Sequence, residues 1–254
     1  MGQMDFDIKK PSHIFSLVLI SITFLLIVIL PVLTFFGFFQ AVNTVNYQTL
    51  PKVYKLFFEI FLLVFQLTLV ILLMIVFPFI WYFLVNKYNL KQVLSRLKLT
   101  LGNIDMAFLW GILTTILIFA ITIVIGILIV SIFGVNAQDM GNIPDLEALF
   151  SPISLFLLVA IQPVAEEIFF RGFLLDKIES FAGQNISIVT TSVLFGLAHA
   201  SYGKVYPIIL PIIMGVLLAY MVIKTKNLYT SIIAHVCFNV GTLALTFLAR
   251  SLMA

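Results

Sequence analysis

Residues 56–85 read LFFEIFLLVFQLTLVILLMIVFPFIWYFLV, and Glu59 is the one charged side chain among them. Such a run is long enough to cross the roughly 30 Å hydrocarbon layer of a bilayer as a helix. It is not an exception in this chain. Outward from it, the same reading applies to Ile14–Phe39, Ala107–Phe133, Pro152–Leu175, Ile186–Ala200, Val205–Ile223 and Leu228–Leu248. The fifth of these seven segments is short, which suits a helix held inside a bundle or beside a water-filled cavity. Of the 254 residues, 62% are hydrophobic and 10% charged. A soluble domain carries roughly 25% charged residues, so lipid is the expected solvent. The sequence therefore predicts an all-α polytopic membrane protein, a bundle of about seven transmembrane helices.

The first apolar run follows Lys9 and Lys10. It exceeds the roughly 7–15 residues of a signal-peptide core and lacks a small-residue cleavage site, so it reads as a retained helix. The net charge of +3 is too small and scattered to indicate a nucleic-acid partner. The single cysteine, Cys237, excludes a disulfide framework within the chain. Trp81, Tyr82 and Tyr88 suit the headgroup level.

Short loops rich in Lys and Arg stay in the cytoplasm. With a cytoplasmic N-terminus, that side holds Lys9, Lys10, Lys87, Lys91, Arg96, Lys98, Arg171, Lys177, Lys224 and Lys226. The other side holds Lys52, Lys55, Lys204 and Arg250, together with a 134–151 loop bearing Asp139, Asp145 and Glu147 but no cation. The expected location is a multi-pass position in the cell membrane with the N-terminus inside. Within 86–102, Leu90, Val93, Leu94 and Leu97 recur at helical spacing between Lys91, Arg96 and Lys98, a pattern for a helix lying in the interface. One compact membrane domain is expected, with three N-terminal helices and this basic segment in 1–150 and the polar helices in 151–254.

Ionisable groups inside spanning segments are costly and mark function by default. Glu59 is explained by Lys55 one turn earlier. His13 lies among polar residues before the first helix and is expected to be solvated. The others gather late in the chain. Glu166, Glu167 and Arg171 lie on the fourth segment, His199 ends the fifth, and His235 and Asn239 lie four apart on the seventh. Glu167 and Arg171 share a helix face and are expected to pair, while Glu166 projects about 100° away with its lone pairs free. Counted from the end bearing Asp176 and Lys224, Glu166 lies roughly 15 Å deep, His199 roughly 20 Å, and His235 and Asn239 roughly 10–17 Å. These groups are expected to meet at one level below a cytoplasmic opening.

Together they form a set for amide hydrolysis without a covalent intermediate. Glu166, hydrogen-bonded with His199, deprotonates a water. His235 and Asn239 donate to the oxyanion. No Ser-His-Asp, HExxH or rhomboid-type GxSG pattern competes.

Glu166-Glu167-x-x-x-Arg171, Phe195-x-x-x-His199 and His235-x-x-x-Asn239 resemble the three motifs of the CPBP family. That family includes the type II CAAX prenyl endopeptidases and bacterial proteins tied to bacteriocin processing and self-immunity. The resemblance covers roughly Ser151 to Leu248. It implies an intramembrane endopeptidase with Glu166 catalytic, His199 its partner on the water, and His235 with Asn239 stabilising the oxyanion. Glu167 and Arg171 are then a supporting ion pair. The implied partner is a peptide or protein substrate entering from the cytoplasmic side. A metal-free site is favoured over zinc, whose ligands would be Glu166, His199 and His235, on the expectation that Glu167 is committed to Arg171 and no carboxylate orients a histidine ligand. A proton-coupled carrier and a non-proteolytic self-immunity protein are the alternatives.

Overall fold

The computed structural model describes residues 6–38, 51–134 and 149–253. The acidic loop residues Asp139, Asp145 and Glu147, and the end of the first apolar run at Phe39, lie outside them. The elements are α1 (Pro11–Phe35), α2 (Lys52–Leu84), a short α3 (Leu90–Arg96), α4 (Ile104–Phe133), α5 (Pro152–Ala182), α6 (Gln184–Leu197), α7 (Tyr206–Thr225) and α8 (Tyr229–Met253). Among the described residues, α1, α2, α4, α5, α7 and α8 are long and apolar enough to cross a membrane. The 14-residue α6 is the expected short helix, about 21 Å long at 1.5 Å per residue.

Prolines shape the long helices. Pro31 and Pro78 lack the N–H that would bond the carbonyl four residues back, and their rings crowd it. The chain answers with a widened π turn just before each, at Leu25–Ile29 and Leu72–Val76. Both helices continue beyond it.

α5 is the central helix. More than half of its apolar stretch is buried in protein, against a third or less in the other five long helices. It packs against α2 and α8, α8 also packs on α4 and α7, and α6 lies along α7. Two glycines allow the closest approaches. A β-carbon on Gly196 of α6 would stand 2.2 Å from Cγ1 of Ile212 and 2.7 Å from the Ile208 carbonyl of α7. One on Gly215 of α7 would meet Ser192 at 3.0 Å and the Arg171 guanidinium at 3.2 Å. Gly196→Val should therefore destabilise the protein, by about 1–3 kcal/mol as other overpacked cores do, because the Ile208 carbonyl is backbone and cannot swing aside. Melting in detergent measures this; an unchanged midpoint would mean that the two helices are not held at this spacing.

One end of the bundle carries most of the cations. The α1 start, the α2 end, the α4 start, the α5 end, the α6 start, the α7 end and the α8 start converge there. Phe6 stacks on Trp81 at 5.7 Å, and the Tyr82 hydroxyl bonds Asp176. The opposite end carries the 200–202 turn, which packs against the last turns of α1. Arg171, counted above among loop cations, lies instead within α5 and is fully buried. Nine cations remain on the Asp176 end by sequence count, against four at the other.

The segment expected to lie in the membrane interface is strapped across the Asp176 end. Asn89 and Gln92 form a reciprocal cap at the start of α3. Val93 and Leu97 are fully buried, with Leu97 against Gly172, while Leu90 is exposed. Arg96 pairs with Asp176 at 3.0 Å, the Leu228 amide bonds the Lys98 carbonyl, and Asn227 bonds the carbonyls of Thr100 and Gly102. Only part of the apolar stripe is left for lipid. His13 is likewise not solvated. It is 1% exposed, its Nδ1 accepts the Asp7 amide, and its ring meets Phe6. Glu59 has a larger role than pairing with a neighbour on its own helix. It accepts the Ser151 amide and the Ser154 hydroxyl, at 2.8 and 2.6 Å, tying α2 to the start of α5.

Candidate active site

The decisive turn lies at the middle of α5. Regular helix runs to Glu167, and a π turn follows over Ile168–Leu174. Every residue from Ala165 to Leu175 is buried. Such bulges re-aim side chains and are common at functional sites. This one carries Arg171, whose Nη1 donates to Glu167 Oε1 at 2.9 Å with both side chains at zero exposure. The guanidinium lies 4.1 Å above the centre of the Phe195 ring, a cation–π contact in a dry site.

Phe195 also sets both histidines. Its ring meets His199 at 4.9 Å and His235 at 5.6 Å, each edge to face. Its carbonyl takes the Nδ1–H of His199 at 2.8 Å, which turns Nε2 of that ring into the acceptor. One aromatic side chain thus packs on Arg171, His199 and His235. This is the physical content of the Phe195-x-x-x-His199 spacing.

His235 Nδ1 lies 2.9 Å from the same Glu167 oxygen that accepts Arg171. Glu167 is therefore not committed to Arg171 alone. It joins α5 to α8 and orients a histidine, the role the sequence reading left without an occupant. Glu166, one residue earlier, keeps one of its two oxygens clear of hydrogen bonds from the described side chains. Its Oε1 accepts the Gln162 amide at 2.7 Å, while Oε2 lies 3.8 Å from His235 Nε2. Gln162 in turn accepts from Gln66 of α2 at 3.4 Å. Sequence reasoning missed both glutamines. Two signals pointed to them: Gln162 stands one turn before Glu166, and Gln66 is a polar group at membrane depth in an apolar run.

Glu166, His199, His235 and Asn239 line one cavity of about 920 Å³. Gln66 and Gln162 line the same cavity. The remaining walls are mainly apolar, among them Phe65, Leu155, Leu158, Phe238 and Leu243. The cavity continues past Phe150, Tyr206, Leu245 and Ala249. All of these lie toward the end opposite Asp176 and Lys224. The expected opening below the basic face is therefore corrected: the walls diverge on the other side of Glu166. Counting residues from a helix end gave depth, but not the side on which the helices part. Cys237, between the two polar residues of α8, is half-buried and does not line the cavity.

A zinc ion would need Glu166, His199 and His235 together. Among the described residues no three His, Cys, Asp or Glu side chains stand close enough to hold a metal, so the chemistry below is derived from the side chains alone. The Glu167–His235 contact is nonetheless of the kind that orients zinc-bound histidines, and it removes one of the reasons for preferring a metal-free site.

Residues 148–241, which hold all of these polar groups except Gln66, match the family model for type II CAAX prenyl endopeptidase Rce1-like proteins. The matched stretch is similar to that family, and it is the stretch that carries the three CPBP-like motifs. No curated protein and no solved structure matches it.

Proposed function

We propose that this protein is an intramembrane endopeptidase of the CPBP type, hydrolysing peptide bonds with a water activated by Glu166. The observation that carries the reading is the shared wall of the cavity, where Glu166 and His199 stand with His235 and Asn239. Gln162 occupies Oε1 of Glu166 and leaves Oε2 as the oxygen to take a proton. Water held between Glu166 and His199 Nε2 gives that proton to Glu166, and its oxygen attacks the carbonyl carbon of the peptide. The oxyanion is met by Asn239 and by His235 Nε2. Glu167, at Nδ1, holds the His235 ring in place for this role. Collapse breaks the C–N bond, and the proton held by Glu166 passes to the leaving nitrogen.

The apolar walls suit a hydrophobic peptide segment. Purified protein in proteoliposomes, offered such a peptide, should release two fragments. Solute uptake without cleavage would mean a carrier. Cleavage is expected to survive chelation, with no stoichiometric metal by elemental analysis. Near-stoichiometric zinc, lost together with activity and restored with it, would overturn this reading.

With nine cations at the Asp176 end, that end is the cytoplasmic one, and the substrate enters from the opposite face. A cysteine placed at Lys52 should react with an impermeant reagent in intact cells, and one at Lys91 should not. The reverse pattern would turn the protein over and make the cavity mouth cytoplasmic. The loop position Asn142, also suited to this test, lies outside the described residues.

A further inference from the structure

A second, smaller cavity of about 230 Å³ backs onto the same carboxylate from the other side. We propose that it is the inlet through which water reaches Glu166 and His199 while substrate fills the larger cavity. The proposal rests on the reading of the site as a hydrolase.

Hydrolysis consumes a water at every turnover, and an apolar peptide seated in the large cavity displaces water from it. A hydrolase at membrane depth therefore needs a second route. Four side chains line both cavities: Gln66, Gln162, Glu166 and His199. They form the partition between the two, and the Gln66–Gln162 hydrogen bond runs through it. The smaller cavity also reaches Ser201, in the 200–202 turn packed against the end of α1, and Ser201 is exposed. A hydroxyl, two amides, a carboxylate and an imidazole thus line the cavity. A buried water needs roughly two to four polar partners and about 30 Å³. This cavity supplies those partners along its length and has room for several waters. Its other walls, such as Leu26, Pro31 and Val70, shield the route from lipid.

The test uses the full chain in proteoliposomes with Cys237 replaced by Ala. Val70 lines the small cavity and is 8% exposed, whereas Val222 is fully buried and lines neither. A small charged methanethiosulfonate reacts with a thiolate, which forms only where water reaches the thiol. Val70→Cys should label at least about ten-fold faster than Val222→Cys, and adding Ser201→Trp should slow that labelling. Equal rates at the two positions would overturn the inlet. In the cleavage assay, Ser201→Trp should lower kcat about ten-fold and leave KM within about two-fold, since it affects water delivery and not substrate binding. An unchanged kcat where labelling is blocked would also overturn it. Ser201 is exposed, so the fold tolerates the bulkier side chain, and a melting curve checks this. If the wild type cleaves nothing, the hydrolase reading fails, while the labelling rates still report whether water enters here.

Discussion

Glu166→Gln is expected to reduce peptide cleavage by about 10²–10⁴-fold, the usual worth of a positioned general base, without unfolding the protein. Glutamine keeps the size of the side chain and can still accept the Gln162 amide on its carbonyl oxygen. What it loses is the second carboxylate oxygen, 3.8 Å from His235 Nε2, and with it the capacity to take a proton from water. Equal melting midpoints for wild type and variant would place the whole effect in the chemistry. A variant that cleaves at the wild-type rate would remove Glu166 from the role of base.

Arg171→Ala should act through structure first. The guanidinium has no exposure, bonds Glu167 and lies on Phe195. Removing one member of a buried ion pair costs roughly 3–5 kcal/mol, because the other charge is left unpaired. Glu167 would be that charge, and its contact with His235 Nδ1 carries the disturbance to α8. Loss of activity should therefore accompany a lowered melting midpoint. Glu167→Gln combined with Arg171→Gln should recover part of the stability, since neither charge then remains. An Arg171→Ala protein that melts like the wild type yet does not cleave would point to direct contact with substrate.

The helices and the site were legible to different degrees. Apolar runs mark the spans because a bilayer tolerates few other sequences, so α2 and α5 were visible within a turn or two at their ends. Glu166, Glu167, Arg171, His199, His235 and Asn239 stood out because charge and imidazole at membrane depth are expensive. Contacts between helices were less legible. No pattern within α5 shows that Glu167 serves Arg171 and His235 at once, since that depends on how α8 crosses α5. Gln66 owes its place to the packing of α2 on α5. His13 is buried where Phe6, itself stacked on Trp81 of α2, meets its ring. α3 reads as a membrane-surface helix until Arg96 finds Asp176, 80 residues away. The mouth of the cavity was misplaced for the same reason, because residue counts follow single helices and a cavity is made by their divergence.

The most direct test of the central claim is mass spectrometry of a hydrophobic peptide incubated with purified protein in proteoliposomes, wild type beside Glu166→Gln. A new pair of termini with the wild type, and their loss with the folded variant, is the result expected of a glutamate-activated intramembrane endopeptidase. The same termini from both proteins would contradict it.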